Sequence, residues 1–444
     1  MGGMTTDASI EVDALRTLAK ALRAARGVAH KRDIADVMQT LHATTRLPAA
    51  FGGAEVRNGD DCAAIPDATS INGGWLLLAI EGFLNEFVAA EPYFAGYCGV
   101  MVNVSDIYAM GGRPIAVVDA LWSAGSSRAQ AILSGMQAAA QVYGVPVVGG
   151  HSNAHCDREQ LSVAILGRAN KLLSSFDAQA GDVLLAAIDL RGRYREHFSN
   201  WDASSGRDPQ RLRADLELLP ALAEDGLCRA AKDISQAGVL GTLLMLLECS
   251  GIGAVIDVAQ APRPGDVALE RWLLQTFPSF GFLLAVAPQH VDEVRARFRA
   301  RAIDCAAIGT CDSTRRLRFA TGDDDVLAWD FADASLIGCG PRAVRVAVTP
   351  ADSGPAFTTD TGAEPSKPLH LATEPRLIRE VPVADESSVR TSPHASPVAR
   401  GTDQSSVSLA SDHSSVARDP RAAPASKGPV ADLATISQHS YVHA

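Results

Sequence analysis

The chain has 444 residues and a formal net charge of −11, and 47% of its residues are hydrophobic. That length exceeds one ordinary core, so we expect two domains with additional material. The net negative charge argues against nucleic acid or an anionic membrane surface as a main partner, because both bind preferentially to a positively charged protein face.

Predicted helices and strands alternate along both halves of the chain, which favours an α/β (α+β) fold of two domains. In the first half, the predicted helices cover residues 9–26, 31–43, 91–110 and 127–143, and the predicted strands cover residues 75–80, 115–122, 145–148 and 161–168. In the second half, the predicted helices cover residues 209–224, 238–249, 267–276 and 290–300, and the predicted strands cover residues 183–188, 227–234, 254–258, 281–287, 303–309 and 315–319.

Composition sets the expected boundaries of these regions. We predict an N-terminal helical segment over 1–45, a first domain over 46–169, a second domain over 170–340 and a disordered, low-complexity tail over 341–444. The last region is rich in Ser, Ala, Pro, Asp and Arg and has few large apolar side chains, so burial cannot offset its ordering entropy.

Cysteine usage and apolar runs bear on the compartment. The eight cysteines are scattered without a C-x-x-C pair, which is typical of free thiols in a reducing compartment. No apolar run approaches the roughly 18 residues of a membrane span, and no basic start with an apolar stretch indicates a secretory signal. We therefore expect a cytoplasmic protein without a membrane partner.

The first candidate site residues are acids near the predicted strand 75–80. Asp60 and Asp61 are adjacent carboxylates after a glycine, a hard-oxygen pair that suits Mg²⁺. The alternative is an Asp-rich turn before a strand. Glu81 ends that strand beside a glycine, where an acid can face a ligand or simply be solvated.

Two further acids lie at element ends in apolar surroundings. Asp106 is placed on a predicted buried helix, so it needs a cation or hydrogen-bond donors as a partner; the alternative is that it caps a neighbouring element. Asp233 is predicted to end a strand, and the alternative is that Asp233 and Ser235 cap the next helix. Lys232 could contact phosphate but is interpreted as a surface lysine.

The last candidate is Gly149, Gly150 and His151, which follow a short predicted strand. Paired glycines let backbone N–H groups approach a phosphate. His151 could donate to that phosphate, or it could be a loop histidine with an ordinary partner.

Taken in order, four segments resemble the aminoimidazole ribonucleotide (AIR) synthetase superfamily. That superfamily includes selenophosphate synthetase, thiamine-monophosphate kinase, the hydrogenase maturation dehydratase and a formylglycinamidine synthase. The segments are NGDDCAAI at 58–65, NVSDIYAMGGRP at 103–114, GGHS at 149–152 and KDISQAGVLGTLL at 232–244. The resemblance covers roughly residues 10–340, and its motifs are most similar to those of selenophosphate synthetase.

The resemblance implies two α/β domains, with the first sheet pairing with that of a second subunit as a barrel across a homodimer. It also implies that ATP lies in a cleft with Mg²⁺ between its phosphates and Asp side chains. The implied metal ligands are Asp61 with its neighbour Asp60, Asp106 and Asp233, and the implied nucleotide residues are Glu81, Asp106, Gly149, Gly150 and His151. Asp106 and His151 are the residues expected to take part in catalysis.

Two departures limit what the resemblance implies about the reaction. No cysteine precedes Cys62, which argues against selenium chemistry, and His151 and the pair at 236–237 stand where thiamine-monophosphate kinase has Asp motifs. The expected function is therefore Mg²⁺- and ATP-dependent phosphate transfer to an unidentified small metabolite. The alternatives are an activity like either of those two enzymes, a non-catalytic nucleotide-binding scaffold or sensor, or a structural dimer whose acids cap helices.

Overall fold

The computed structural model describes residues 10–41, 44–49, 52–68, 73–195 and 198–341. The predicted tail therefore lies outside the described residues from position 342 onward. None of the helices in the described ranges has the length and apolarity that crossing a bilayer requires.

The first half of the described chain has these elements. Its helices are α1 (Val12–Ala24), α2 (Arg26–Leu41), α3 (Asn85–Ala90), α4 (Pro92–Ala109) and α5 (Ser126–Tyr143). Its strands are β1 (Thr44–Arg46), β2 (Glu55–Arg57), β3 (Ala63–Pro66), β4 (Trp75–Gly82), β5 (Arg113–Trp122), β6 (Val147–Asn153) and β7 (Gln160–Ala169).

A five-stranded sheet in the order β3-β4-β7-β5-β6 organises this half. Its β5–β6 pair is parallel and its other pairs are antiparallel. Alternate residues of β7, including Leu161, Val163 and Ile165, are buried on one face, as the two-residue period of a strand requires. The apolar helix α4 covers that face and packs against α5, so its last turn, with Asp106, lies inside the protein.

The opposite face of this sheet is apolar and exposed. Its side chains are 37–54% accessible at Leu78, Ile80, Ile115, Val118 and Leu166. A contiguous apolar face of this kind marks a surface that binds a partner more often than a solvated one.

The second half has these elements. Its helices are α6 (Pro209–Leu216), α7 (Leu218–Glu224), α8 (Gly238–Ser250), α9 (Leu269–Leu274) and α10 (Val291–Ala300). Its strands are β8 (Val183–Ile188), β9 (Arg193–Tyr194), β10 (Asn200–Asp202), β11 (Ala230–Asp233), β12 (Gly253–Ile256), β13 (Phe277–Pro278), β14 (Gly281–Val286), β15 (Asp304–Asp312), β16 (Arg316–Thr321) and β17 (Asp324–Asp330).

A seven-stranded sheet in the order β11-β14-β8-β15-β12-β16-β17 organises this half, and its strands β8 and β14 are buried almost throughout, on both faces. Along β8, Leu184 and Ala186 join a core with α1, α2, α8 and α9, whereas Leu185 and Ala187 join a core with α4, α7 and α10. The second core continues into the first half, so the two halves are packed together. The predicted two-domain α/β architecture is confirmed.

The N-terminal helices pack on the second half rather than beside the first. Leu15 and Leu22 are fully buried in the core that contains α8, and the Arg23 guanidinium donates to the carbonyls of Leu327 and Ala328. The predicted segment 1–45 thus contributes α1 and α2 to the core of a half that begins more than 100 residues later.

Candidate metal centre

Three carboxylates from three separate elements meet where the two halves pack together. Asp61 lies in the loop before β3, Asp106 in the last turn of α4, and Asp233 at the end of β11. Each contributes one oxygen to a group in which all three atoms lie within 4.8 Å of one another. The fold therefore brings together three of the acids that the sequence analysis singled out.

Asp106 is the most deeply buried member of this cluster. The residue is 5% exposed, against 9% for Asp61, and among the described residues its Oδ2 atom has no hydrogen-bond partner. Burial, followed by the neighbouring carboxylates of Asp233 and Glu81, raises the pKa of Asp106 well above its usual range. A buried carboxylate without donors is costly, and a bound cation removes that cost.

Asp61 is held by donors from the second half. The Lys232 ammonium group donates to Asp61 Oδ1, and the Asp233 amide donates to Asp61 Oδ2 at 3.3 Å. Burial raises the pKa of Asp61 to about 7 and that of Asp233 to about 6, although Lys232 opposes both shifts. Burial alone would lower the pKa of Lys232, but the charges of Asp61 and Asp60 raise it.

The interpretation of Lys232 as a surface lysine is wrong. Its side chain is buried and ion-paired with Asp61. The strand β11 carries it into the cluster because Ala230 and Ala231, which precede it, are fully buried. A single lysine next to an acid gave no local signal of this contact.

Asp60 is not one of the three clustered acids. Its carboxylate accepts hydrogen bonds from the hydroxyl of Ser174 at 2.7 Å and from the amide and hydroxyl of Ser175 at 3.0 and 2.6 Å. The structure thus shows Asp60 fastening the loop to the segment that links the two halves, with both oxygens engaged.

Glu81 ends β4 beside the cluster, and its electrostatic partner comes from α2. Burial raises the pKa of Glu81 to about 7, while the charge of Lys31 opposes that shift. Burial lowers the pKa of the half-buried Lys31, and Glu81, Asp233 and Asp61 partly offset this effect. Among the described residues, no hydrogen bond or salt bridge holds the Lys31 ammonium group.

Lys31 is the site residue that sequence reasoning missed. Gly27, one turn earlier on the same face of α2, lies so close to the loop after Asp233 that a Cβ there would be 2.7 Å from the carbonyl oxygen of Gln236. That approach brings this part of α2 beside the loop that follows Asp233, and the charges of Glu81, Asp233 and Asp61 act on Lys31. Nothing near Lys31 in sequence distinguishes it from the other basic residues of a polar helix face.

Gly149, Gly150 and His151 lie within β6 rather than in a loop after it. A Cβ on Gly150 would overlap the Asp119 carboxylate, whereas Gly149 faces open space except for one distant contact. His151 is exposed, with its ring 6.0 Å from that of Trp122. These residues do not join the three-acid cluster.

Strand register relates the glycine pair to the cluster. Glu81 pairs with Val163, Val163 with Asp119, and Asp119 with Gly150, so one row crosses four neighbouring strands. At the usual strand spacing this row measures roughly 14 Å from Glu81 to Gly150. Glu81, which lies beside the acids, and Gly150 are therefore at the two ends of one row of paired residues that runs across the sheet.

The donor set fits a hard divalent cation. All three clustered ligands are carboxylates, which Mg²⁺ prefers to softer donors, and Mg²⁺ sites use few protein oxygens together with phosphate or water. The unpartnered Asp106 oxygen supports this fit. A cation bound by these residues would leave positions open for a ligand.

The fold and the site together define a two-domain α/β protein with an acidic centre formed by both halves. Residues 59–169 match the N-terminal domain of AIR synthase related proteins, and residues 179–321 match the C-terminal domain. The chain belongs to this family, which confirms the resemblance drawn from the ordered motifs.

Similar proteins span different shares of the chain. An uncharacterized protein of Synechocystis sp. is 47% identical over 313 residues, which are 70% of this chain and 94% of that one. The selenide, water dikinase of Colwellia psychrerythraea is 29% identical over 186 residues, 40% of this chain and 54% of that one. Thermotoga maritima PurL complexed with ATP has a TM-score of 0.54 and 21% identity, covering 76% of this chain and 54% of that one, and shows the shared fold. The chain spans about half the length of the last two proteins.

Proposed function

We propose that the protein is a Mg²⁺-dependent enzyme that binds ATP and transfers phosphate to, or activates with phosphate, a small metabolite. The observation that carries this proposal is the convergence of three carboxylates, one of them a buried Asp106 with an unpartnered oxygen. A relative named as a dikinase and a similar fold complexed with ATP add support.

Asp61, Asp106 and Asp233 are the residues that would hold Mg²⁺. When bound, the ion supplies positive charge that neutralises phosphate oxygens during transfer. The chain's own contribution is to hold these carboxylates in place, with the Lys232 ammonium group and the Asp233 amide orienting Asp61.

Lys31 is suited to bind the terminal phosphate. Lys232 is already engaged with Asp61, whereas the ammonium group of Lys31 faces the acids without a direct partner among the described residues. A lysine in this setting acts as a positive charge for a phosphoryl group, and phosphoryl transfer depends largely on positioning and electrostatics. Glu81 lies close enough to orient Lys31 through opposite charge.

The exposed strand β6 is the proposed place for the rest of the nucleotide. The open space over Gly149 leaves its backbone accessible, and His151 is exposed in the same strand. The row of paired residues from Glu81 to Gly150 joins this strand to the acids. The proposed role of Gly149, Gly150 and His151 in nucleotide binding comes from the family resemblance. Their position in the exposed strand β6 is compatible with that role.

We also propose that the protein is a homodimer of the cytoplasm. The exposed apolar face of the five-stranded sheet offers the surface that a barrel across two subunits would bury. The eight free cysteines fit a reducing compartment.

Calorimetric titration of ATP with Mg²⁺ into the wild type and Asp106→Asn tests the proposal, together with chromatography of ADP, AMP and phosphate across a metabolite library. We expect Mg²⁺-dependent ATP binding and acceptor-dependent product release, both lost in Asp106→Asn. Absence of nucleotide binding with every divalent metal would overturn the proposal. Tight binding without turnover for any acceptor would favour a nucleotide-binding scaffold.

A further inference from the structure

Residues 335–340, which follow β17, form a strap fastened to one buried carboxylate. Glu248 lies near the end of α8 and is 4% exposed. Its oxygens accept hydrogen bonds from the Ser335 hydroxyl and from three successive amides, those of Leu336, Ile337 at 2.7 Å and Gly338 at 3.2 Å. Charge-assisted bonds of this kind are stronger than neutral ones, so Glu248 fixes the conformation of the strap.

The strap packs closely against the loop that carries Asp61. Gly59 has a φ of +112°, in the left-handed region, and a Cβ there would overlap the Cys339 sulfur. From the other side, Cys249 Sγ lies 3.5 Å from the Gly59 carbonyl oxygen. Gly59 is therefore enclosed between the strap and α8, two residues before the metal-cluster acid.

The same strap braces the helix that carries Lys31. A Cβ on Gly338 would lie 3.3 Å from Ala35 Cα, so the strap backbone lies directly against α2. Ala35 follows Lys31 by one helical turn and shares its face. One short segment thus contacts the supports of two site residues that are 30 positions apart in the chain.

We infer that Glu248 is a positioning residue for the metal and phosphate site. It touches none of the clustered acids, yet through the strap it fixes Gly59 behind Asp61 and Ala35 behind Lys31. Release of the strap would let the loop and the helix shift apart. This inference rests on the proposed function, because it concerns the affinity of that same site.

Glu248→Gln is the direct test, since it keeps the shape of the side chain and removes the charge. The full-length protein is titrated with Mn²⁺ alone, followed by electron paramagnetic resonance, and then with AMPPCP in the presence of Mn²⁺. We expect Kd to rise about tenfold for both probes, which corresponds to the loss of one charge-assisted interaction.

Asp215→Asn is the matched control. Asp215 is another deeply buried carboxylate of the second half, and it accepts a hydrogen bond from Arg301 at 2.6 Å, away from the strap. We expect both variants to lower the melting temperature but only Glu248→Gln to weaken binding. A less stable Glu248→Gln protein with wild-type Kd values would show a merely structural role and overturn the inference.

If Glu248→Gln does not fold, Cys339→Ala is the second variant that tests the inference. It removes the sulfur that rests on Gly59 and leaves the bonds to Glu248 intact. We expect a rise of about threefold in the Kd for Mn²⁺, and an unchanged Kd would contradict the inference. A wild type that binds neither probe would overturn the proposed function and the inference together, whereas normal binding by all variants would overturn the inference alone.

Discussion

Asp61 forms the ion pair that joins the two halves of the protein at the site, through Lys232 of the second half. Four carboxylates, those of Asp61, Asp106, Asp233 and Glu81, face the two ammonium groups of Lys31 and Lys232. When all are ionised, they leave a formal charge of −2 in a buried space, which one divalent cation balances. Burial, together with the neighbouring carboxylates, raises the pKa values of these acids, so protons compete with a cation for them.

The raised pKa values predict that metal binding strengthens with pH. Asp233, with a pKa of about 6, and Asp61, with a pKa of about 7, bind protons increasingly below those pH values in the metal-free protein, and a cation must displace these protons. We expect the Mg²⁺ affinity to rise at least about tenfold between pH 5.5 and pH 7.5, by calorimetry.

Thermal melts provide the companion measurement. Carboxylates with raised pKa values bind more protons in the folded than in the unfolded state, so their contribution makes the metal-free protein less stable as the pH rises from about 4 to about 7. Added Mg²⁺ should oppose this loss. A pH-independent affinity together with no effect of Mg²⁺ on melting would contradict the assignment of these acids.

Lys31→Met should weaken binding of ATP and leave ADP binding nearly unchanged. The proposed contact is to the terminal phosphate, and loss of a charged hydrogen bond costs about 1.5–3 kcal/mol, or roughly 10- to 150-fold in Kd. Lys31→Arg should retain part of the affinity. Lys20→Met, an exposed position on α1, is the control. Equal losses for ATP and ADP would place Lys31 elsewhere in the site.

Local signals explain which site residues were predictable. Asp106 and Asp233 each lie at the end of an apolar element, and Asp61 follows a glycine and a second Asp just before a strand; both patterns are visible in the sequence. The environment of Lys31 is created by the loop after Asp233, some 200 residues away in the chain. No residue near Lys31 in the sequence therefore indicates that it belongs to the site. The same holds for the burial of Lys232.

At the level of elements, the two longest helices, α4 and α5, were predicted well because each is a run of 18 residues without an internal proline, begun by Pro92 in α4 and ended by Gly144 in α5. The predicted helix over 91–110 is α4 (Pro92–Ala109), and that over 127–143 is α5 (Ser126–Tyr143). The strand β6 was predicted only to residue 148, because glycines are depleted in strands and the pair at 149–150 indicated a loop. The acid-rich β17, which pairs with β16, was not predicted, because three successive Asp residues around its start are unusual in a strand.

Because α4 packs closely on α5, we expect substitution of a glycine between these helices to lower the stability of the protein. A Cβ on Gly135 would overlap the Tyr93 carbonyl oxygen, and a Cβ on Gly96 would overlap that of Ile132. Gly135→Ala should therefore destabilise the protein by about 1–3 kcal/mol in chemical denaturation. Gly265→Ala, at a position with no atom within 4 Å, is the control and should be close to neutral. Equal stability of the two variants would contradict this packing.

At the scale of the whole molecule, the halves share one continuous core while one sheet face remains apolar and exposed. The two-domain α/β class followed from the alternation of elements. The attachment of α1 and α2 to the second half did not, because it depends on long-range contacts such as those between Arg23 and β17.

The exposed sheet face predicts the oligomeric state. Val118→Asp places a charge on that face and should convert the proposed homodimer to a monomer in light scattering coupled to size exclusion. Leu327→Asp is the control, because Leu327 is similarly exposed, at 42% against 43%, but lies on β17 of the other sheet. A monomeric wild type, or a dimer that survives Val118→Asp, would contradict the proposal.

Asp61, Asp106 and Asp233 are proposed to hold the cation that accompanies ATP. Anomalous diffraction from crystals grown with Mn²⁺ and AMPPCP tests this proposal most directly. We expect an anomalous peak within about 2.5 Å of all three carboxylates and next to a phosphate oxygen of the nucleotide. Bound nucleotide with its Mn²⁺ peak elsewhere, and no ion among these three acids, would contradict it.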